Sequence, residues 1–105
     1  MYKVKQTRVR DWYIVKILDE KQNLIGQVLW GFVLEDNTGR FNCGDYLCTS
    51  LIEKIKDNLI ITAKGSQYIV EGNGKEFDAD IADVEQLRRG RSPFQISRLK
   101  MTKLH

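Results

Sequence analysis

The chain is poor in the residue types on which most enzyme and metal chemistry rests. Its 105 residues include one histidine (His105), two cysteines (Cys43 and Cys48) and one proline (Pro93). A lone terminal histidine is a poor base for a serine or cysteine nucleophile. One histidine and two cysteines also fall short of the roughly four ligands of a tetrahedral zinc site. The run Gly72-Asn73-Gly74-Lys75 lacks the Gly-x-x-x-x-Gly-Lys-Ser/Thr spacing of a phosphate loop. No apolar run approaches the roughly 18 residues of a membrane span, and the N-terminal stretch carries no secretory hydrophobic segment. These absences predict a cytoplasmic, non-enzymatic protein with no catalytic residues, no metal, no cofactor and no membrane partner. Its cysteines are expected to stay reduced and unpaired.

What is present is the composition of one soluble globular domain over residues 1–105, with 42% hydrophobic and 30% charged residues. The net charge of +3 conceals a segregation: +2 over residues 1–35, −5 over 36–87 and +6 over 88–105, where there is no acidic residue. Arg88, Arg89, Arg91, Arg98, Lys100 and Lys103 are therefore the candidate contacts for nucleic-acid phosphates or another anion. The other reading of the same asymmetry is a basic segment lying against an acidic face of its own chain or of a second subunit.

The densest pattern runs from Gly26 to Ser50, where two aromatic, strand-like runs flank the turn Asp36-Asn37-Thr38-Gly39. Strands are expected from Tyr2 to Arg10, Trp12 to Leu18 and Leu24 to Glu35. Others should start at Arg40-Phe41-Asn42, continue over Tyr46 to Ser50 and Leu51 to Ile55, and form a hairpin from Leu59–Ala63 and Gln67–Glu71. Gly26 and Gly31 suit a strand that must bend or admit a neighbouring side chain, and Gly31 beside Trp30 reads as such a kink. Asp80 reads as the N-cap of a helix with Ile81, Val84 and Leu87 inward and Gly90 just past its end. Ser92-Pro93-Phe94-Gln95 carries a second start signal, with Ser as N-cap, Pro first in the helix and Gln at the capping-box position. That helix would run from Pro93 to about Lys103 with Ile96 and Leu99 inward, although its alternation also suits a strand.

The fold class is thus α+β: a small, strongly curved antiparallel sheet or barrel over residues 2–77, with one or two C-terminal helices over 80–103 covering an edge or an open end. Parallel pairing is not expected, since no helical crossover separates the strands. Trp12, Ile14, Val28, Trp30, Phe32, Phe41, Leu47, Ile61, Tyr68 and Val70 are the expected core. Trp12, Tyr13 and Tyr46 are the candidates for an aromatic binding surface. Asp45 after Gly44 has no partner acid or base and reads as a turn cap, and Thr49-Ser50 as hydroxyls satisfying the backbone.

Leu29-Trp30-Gly31-Phe32-Val33, Arg40 to Ser50 with its Arg-Phe-x-x-Gly-Asp-Tyr and Thr-Ser phrases, Gly65-Ser66-Gln67-Tyr68 and Leu87 to Pro93 together resemble small uncharacterised bacterial proteins carried on mobile elements, of the integron-cassette or prophage type. The resemblance covers about residues 26–96 and implies an accessory bacterial protein, more a binder than a metabolic enzyme. The function expected is a binding module whose partner is a protein or a second copy of itself. The alternatives are nucleic-acid binding through the basic segment and, third, small-molecule binding.

Overall fold

The computed structural model describes residues 4–102; Tyr2, Lys103 and His105 lie outside the described residues. Seven strands are followed by two helices: β1 (Thr7–Leu18), β2 (Leu24–Asp36), β3 (Tyr46–Cys48), β4 (Ile52–Lys56), β5 (Leu59–Thr62), β6 (Gln67–Val70), β7 (Lys75–Ala79), α1 (Ile81–Arg88) and α2 (Pro93–Thr102). The fold is α+β, with a mixed sheet ordered β3-β2-β1-β6-β5-β4 and β7 also on β1. The strands at the two ends of this order, β3 and β4, are joined by only three residues, so the sheet must curl, and it remains unclosed.

The expectation of antiparallel pairing throughout is corrected at β1. The β1–β2, β2–β3, β4–β5 and β5–β6 pairs are antiparallel, whereas β6 and β7 both run parallel to β1. No helical crossover is required, because the chain returns through β2 to β5 before laying β6 and β7 end to end along the same edge of β1. The handover falls at Asp11, which has a φ of 48° where the β1–β2 register shifts. There Trp12 donates its indole N–H to the Glu71 carbonyl (3.0 Å), and its ring rests on Gly74. The two strands expected over 2–10 and 12–18 are therefore one bulged strand. The β region also extends past residue 77 to Ala79, while Arg40 to Asn42 lie in a loop and not in a strand.

Strand β2 is buried continuously from Val28 to Gly31, because both faces of the sheet are covered at this point. On one face Val9, Leu29, Val33, Leu47, Ile60, Tyr68 and Val70 form a core inside the curl, with Trp12, Ile14, Phe41 and Ile52 against it. On the other, Val15, Val28, Trp30 and Ala79 receive Leu87 of α1 and Ile96 of α2. The helices thus cover a face of the sheet and not an edge or an open end. Of the expected core, Val28, Trp30, Leu47, Tyr68 and Val70 are buried and the other five are half-buried. In β5 it is Ile60, not Ile61, that faces inward. Gly31 is a close approach: a Cβ there would overlap Val9 and crowd the Arg10 carbonyl of the neighbouring strand.

Both helix starts carry their expected caps. The Asp80 carboxylate accepts from the Asp83 amide (2.8 Å) while Asp83 accepts from the Asp80 amide (3.1 Å). Ser92 and Gln95 make the same reciprocal exchange at 3.1 and 2.8 Å. Gly90, with a φ of 103°, follows the last turn of α1. Two inward assignments are corrected. Ile81 is 66% exposed because the buried row of α1 runs through Asp83 and Leu87, and Leu99 is 42% exposed because α2 faces the sheet through Pro93 and Ile96. Truncation of Trp30 to alanine is expected to cost about 3–5 kcal/mol, seen as a fall in the urea midpoint with an unchanged slope; an unchanged midpoint would contradict its place in the core.

Candidate functional site

The C-terminal end of α1 is held by aromatic side chains from the sheet. Trp30 donates its indole N–H to the Leu87 carbonyl (3.1 Å), and Tyr46 donates its hydroxyl to the Arg88 carbonyl (2.8 Å). These carbonyls lie in the last turn of a helix, where intrahelical partners run out. The Tyr46 ring stacks on Trp30 with centroids 6.3 Å apart, and Phe32 and Tyr13 meet the indole edge-on at 5.1 and 6.3 Å. Of the candidate aromatics, Tyr13 and Tyr46 therefore flank the same indole, whereas Trp12 packs against the core on the opposite face. The three do not form one surface. Tyr46, 40% exposed, is the most open to solvent of the three.

Beside Tyr46 lies an open groove of roughly 680 Å³, with Phe41, Asp45, Cys48 and Arg88 among its lining residues. Its loop wall is set by Asp36, whose carboxylate accepts from the Thr7 hydroxyl (2.7 Å), the Thr38 hydroxyl (2.7 Å) and the Arg40 and Phe41 amides (3.0 Å each). Arg40 then lies over the Phe41 and Tyr68 rings at 5.0 and 5.9 Å. Asp45 accepts from the Asn42 amide (2.8 Å), which makes it a turn residue. The buried Thr49 hydroxyl accepts from the Leu29 amide (3.0 Å) and donates to the Ser50 carbonyl (2.7 Å), so it is committed to the backbone. Cys43 is an exposed free thiol and Cys48 a half-buried one. Burial pushes the Cys48 thiol up, against a smaller opposing pull from Arg88. No group of three or more histidine, cysteine, aspartate or glutamate side chains that could hold a metal occurs among the described residues.

The basic candidates fall into two groups. Lys100 reaches the Asp83 carboxylate and pins α2 to the first turn of α1. Arg88, Arg89 and Arg91 are exposed around the α1–α2 turn, and Arg98 lies over the Phe94 ring at 5.9 Å. Arg91, Phe94, Gln95, Arg98 and Leu99 line an outward hollow of roughly 650 Å³, with Phe94 61% exposed. Lys103 lies outside the described residues. Sequence reasoning identified the arginines but passed over Phe94 and turned Leu99 inward. The outward row emerges only with the structure: with Pro93 and Ile96 buried, helical spacing turns 94, 95 and 98 outward.

The sheet and most of α1 fall within a recognisable family, described as a domain of unknown function (DUF6957) and matched over residues 2–86. The chain belongs to this family. No curated protein and no solved structure matches it. The α2 face lies beyond the residues over which DUF6957 is matched. No helix among the described residues is long and apolar enough to cross a membrane.

Two measurements check this description. Burial opposes the charge on Asp36, but the Thr7 and Thr38 hydroxyls and the Phe41 and Thr38 amides outweigh it, holding the carboxyl well below its ordinary value. The unfolded chain takes up this proton near pH ~4 while the folded protein does not. Stability contributed by Asp36 is therefore complete above that pH and declines as the pH falls below it. Asp36→Asn should lower stability at pH 7 by about 1–3 kcal/mol and flatten the acid limb of the stability curve. An unchanged acid limb would contradict these hydrogen bonds to the Asp36 carboxylate. Second, a thiol reagent at neutral pH should modify Cys43 promptly and Cys48 only after unfolding, because the thiolate is the reacting form. Equal rates in the folded protein would contradict the burial of Cys48.

Proposed function

We propose that the protein is a non-enzymatic protein-binding module, an accessory cytoplasmic protein of the bacterial mobile-element type, and that it binds through the outward face of α2. The reading is supported above all by Phe94 and Leu99, two large apolar side chains exposed on one helix and lining one hollow with Arg91 and Arg98. Exposed aromatic and arginine side chains are the types that dominate binding energy at protein interfaces. A rigid support favours the same reading: α2 is capped at Ser92, anchored by Ile96 in the second core and tethered by Lys100 to Asp83. The matching partner surface offers carboxylates around an apolar recess.

Nucleic acid draws on the same arginines, and Arg88, Arg89 and Arg91 form no ion pair among the described residues. Against it, α1 and α2 are the only helices among the described residues, without the larger helical support of a helix-turn-helix reader. Lys100 is already engaged by Asp83.

A peptide-display selection on the immobilised protein separates the two. Peptides combining acidic with large apolar residues should be enriched, and Phe94→Ala should weaken their binding by at least about tenfold with the thermal midpoint retained. Failure to enrich any such peptide overturns the reading. So does tight binding to duplex or single-stranded nucleic acid at physiological salt, with a log–log salt slope that Arg88→Ala, Arg89→Ala and Arg91→Ala together flatten.

A further inference from the structure

Resting on the reading of α2 as a protein-binding face, we infer that its partner is a second copy of this chain, which receives the face in an acidic cleft on the far side of α1. The cleft, roughly 850 Å³, lies between the β1–β2 turn and the start of α1. Its apolar lining includes Leu18, half-buried, and Ile81, which is outward of the buried row of α1 and among the most exposed large apolar side chains of the described residues. Its rim carries Asp19, Glu20 and Asp80 against the single cation Lys21. Two of the three carboxylates are rigidly placed. Asp19 accepts from the Lys21 and Asn23 amides at 2.9 and 2.8 Å, and Asp80 is the N-cap of α1. Neither is neutralised by a side-chain cation, since the ion pairs among the described residues involve Glu71, Asp11, Glu76 and Asp83.

The α2 face is the converse of this cleft. Phe94 and Leu99 share an outward hollow with Arg91, Gln95 and Arg98, and no carboxylate among the described residues lines it. One surface is apolar with a net negative rim and the other is apolar with two arginines. Each has large side chains exposed to water that burial against the other would remove. The two surfaces share no residue, so one copy can offer its α2 face while its own cleft receives the α2 face of its neighbour.

Sedimentation velocity over a protein concentration series tests this with the full chain. The wild type should exceed monomer mass in a concentration- and salt-dependent manner. Arg98→Glu and Glu20→Arg should each weaken the association by at least about tenfold, and combining them in one chain should recover most of it. Phe94→Ala should weaken it without recovery by Glu20→Arg. Thermal midpoints keep the test sound, since these exposed positions should shift stability by no more than a few tenths of a kcal/mol. A wild type that stays monomeric to about 100-fold above the affinity of the selected peptides overturns the inference while leaving the binding face in place. A monomer that also enriches no acidic, apolar peptide overturns both. Association that neither substitution alters, or that the combined variant fails to recover, overturns the cleft as the receiving surface.

Discussion

The indole of Trp30 is buried together with its N–H, and a buried donor without an acceptor is costly. The sheet has none to spare at that position, since the β2 backbone is already engaged by β1 and β3. The acceptor comes from the last turn of α1, where carbonyls have lost their i+4 amides, and the Leu87 carbonyl takes the indole N–H beside the amide of Gly90. That bond ties the end of α1 to the sheet. Tyr46, stacked on the same indole, takes the next carbonyl, and Gly90 lies so close to the Tyr46 ring that a side chain there would crowd it. The chain turns at this point and α2 follows, with Ile96 in the same core and Lys100 returning to Asp83. The outward face of α2 is positioned by this sequence of constraints, which begins in the middle of β2.

The elements most legible in the sequence were those whose information is local. Caps at Asp80 and Ser92, the turn after Asp36, the glycine at 90 and the tight loop between β5 and β6 each rest on a side chain meeting the backbone within a few residues. Pairing partners were less legible, because nothing in Gln67–Val70 or Lys75–Ala79 states that both will lie along β1. Parallel pairing without a crossover helix needs a chain that has already curled through four strands, which is a property of the whole sheet. The expected inward positions of Ile81 and Leu99 failed for a related reason. A short helix with apolar residues on two rows leaves its orientation open until the surface beneath it is known.

For the candidate site, charge was readable and geometry was not. The basic C-terminal segment was evident from counting, but the five of its six cations among the described residues have different roles. Lys100 is spent on Asp83, Arg98 lies over a ring, and Arg88, Arg89 and Arg91 gather around a turn. The aromatic candidates separated in the same way, since Trp12 and Tyr13 are adjacent in a strand and must point to opposite faces. Phe94 escaped notice because a single aromatic in a polar helix carries no pattern of its own. It acquires meaning only when its neighbours Pro93 and Ile96 are seen to be buried.

The division of the β1 edge between β6 and β7 bears on the order in which the molecule can assemble. The β1–β2 hairpin is complete once Asp36 has been made, yet the other edge of β1 meets Tyr68 at one end and Ala79 at the other. Until the chain has grown that far, this edge presents open donors and acceptors to any strand that passes, native or foreign. Contacts of such sequence separation are entropically expensive to close and slow to form. A ribosome-bound chain halted before β6 would therefore expose its longest unpaired edge while the strands that shield it do not yet exist.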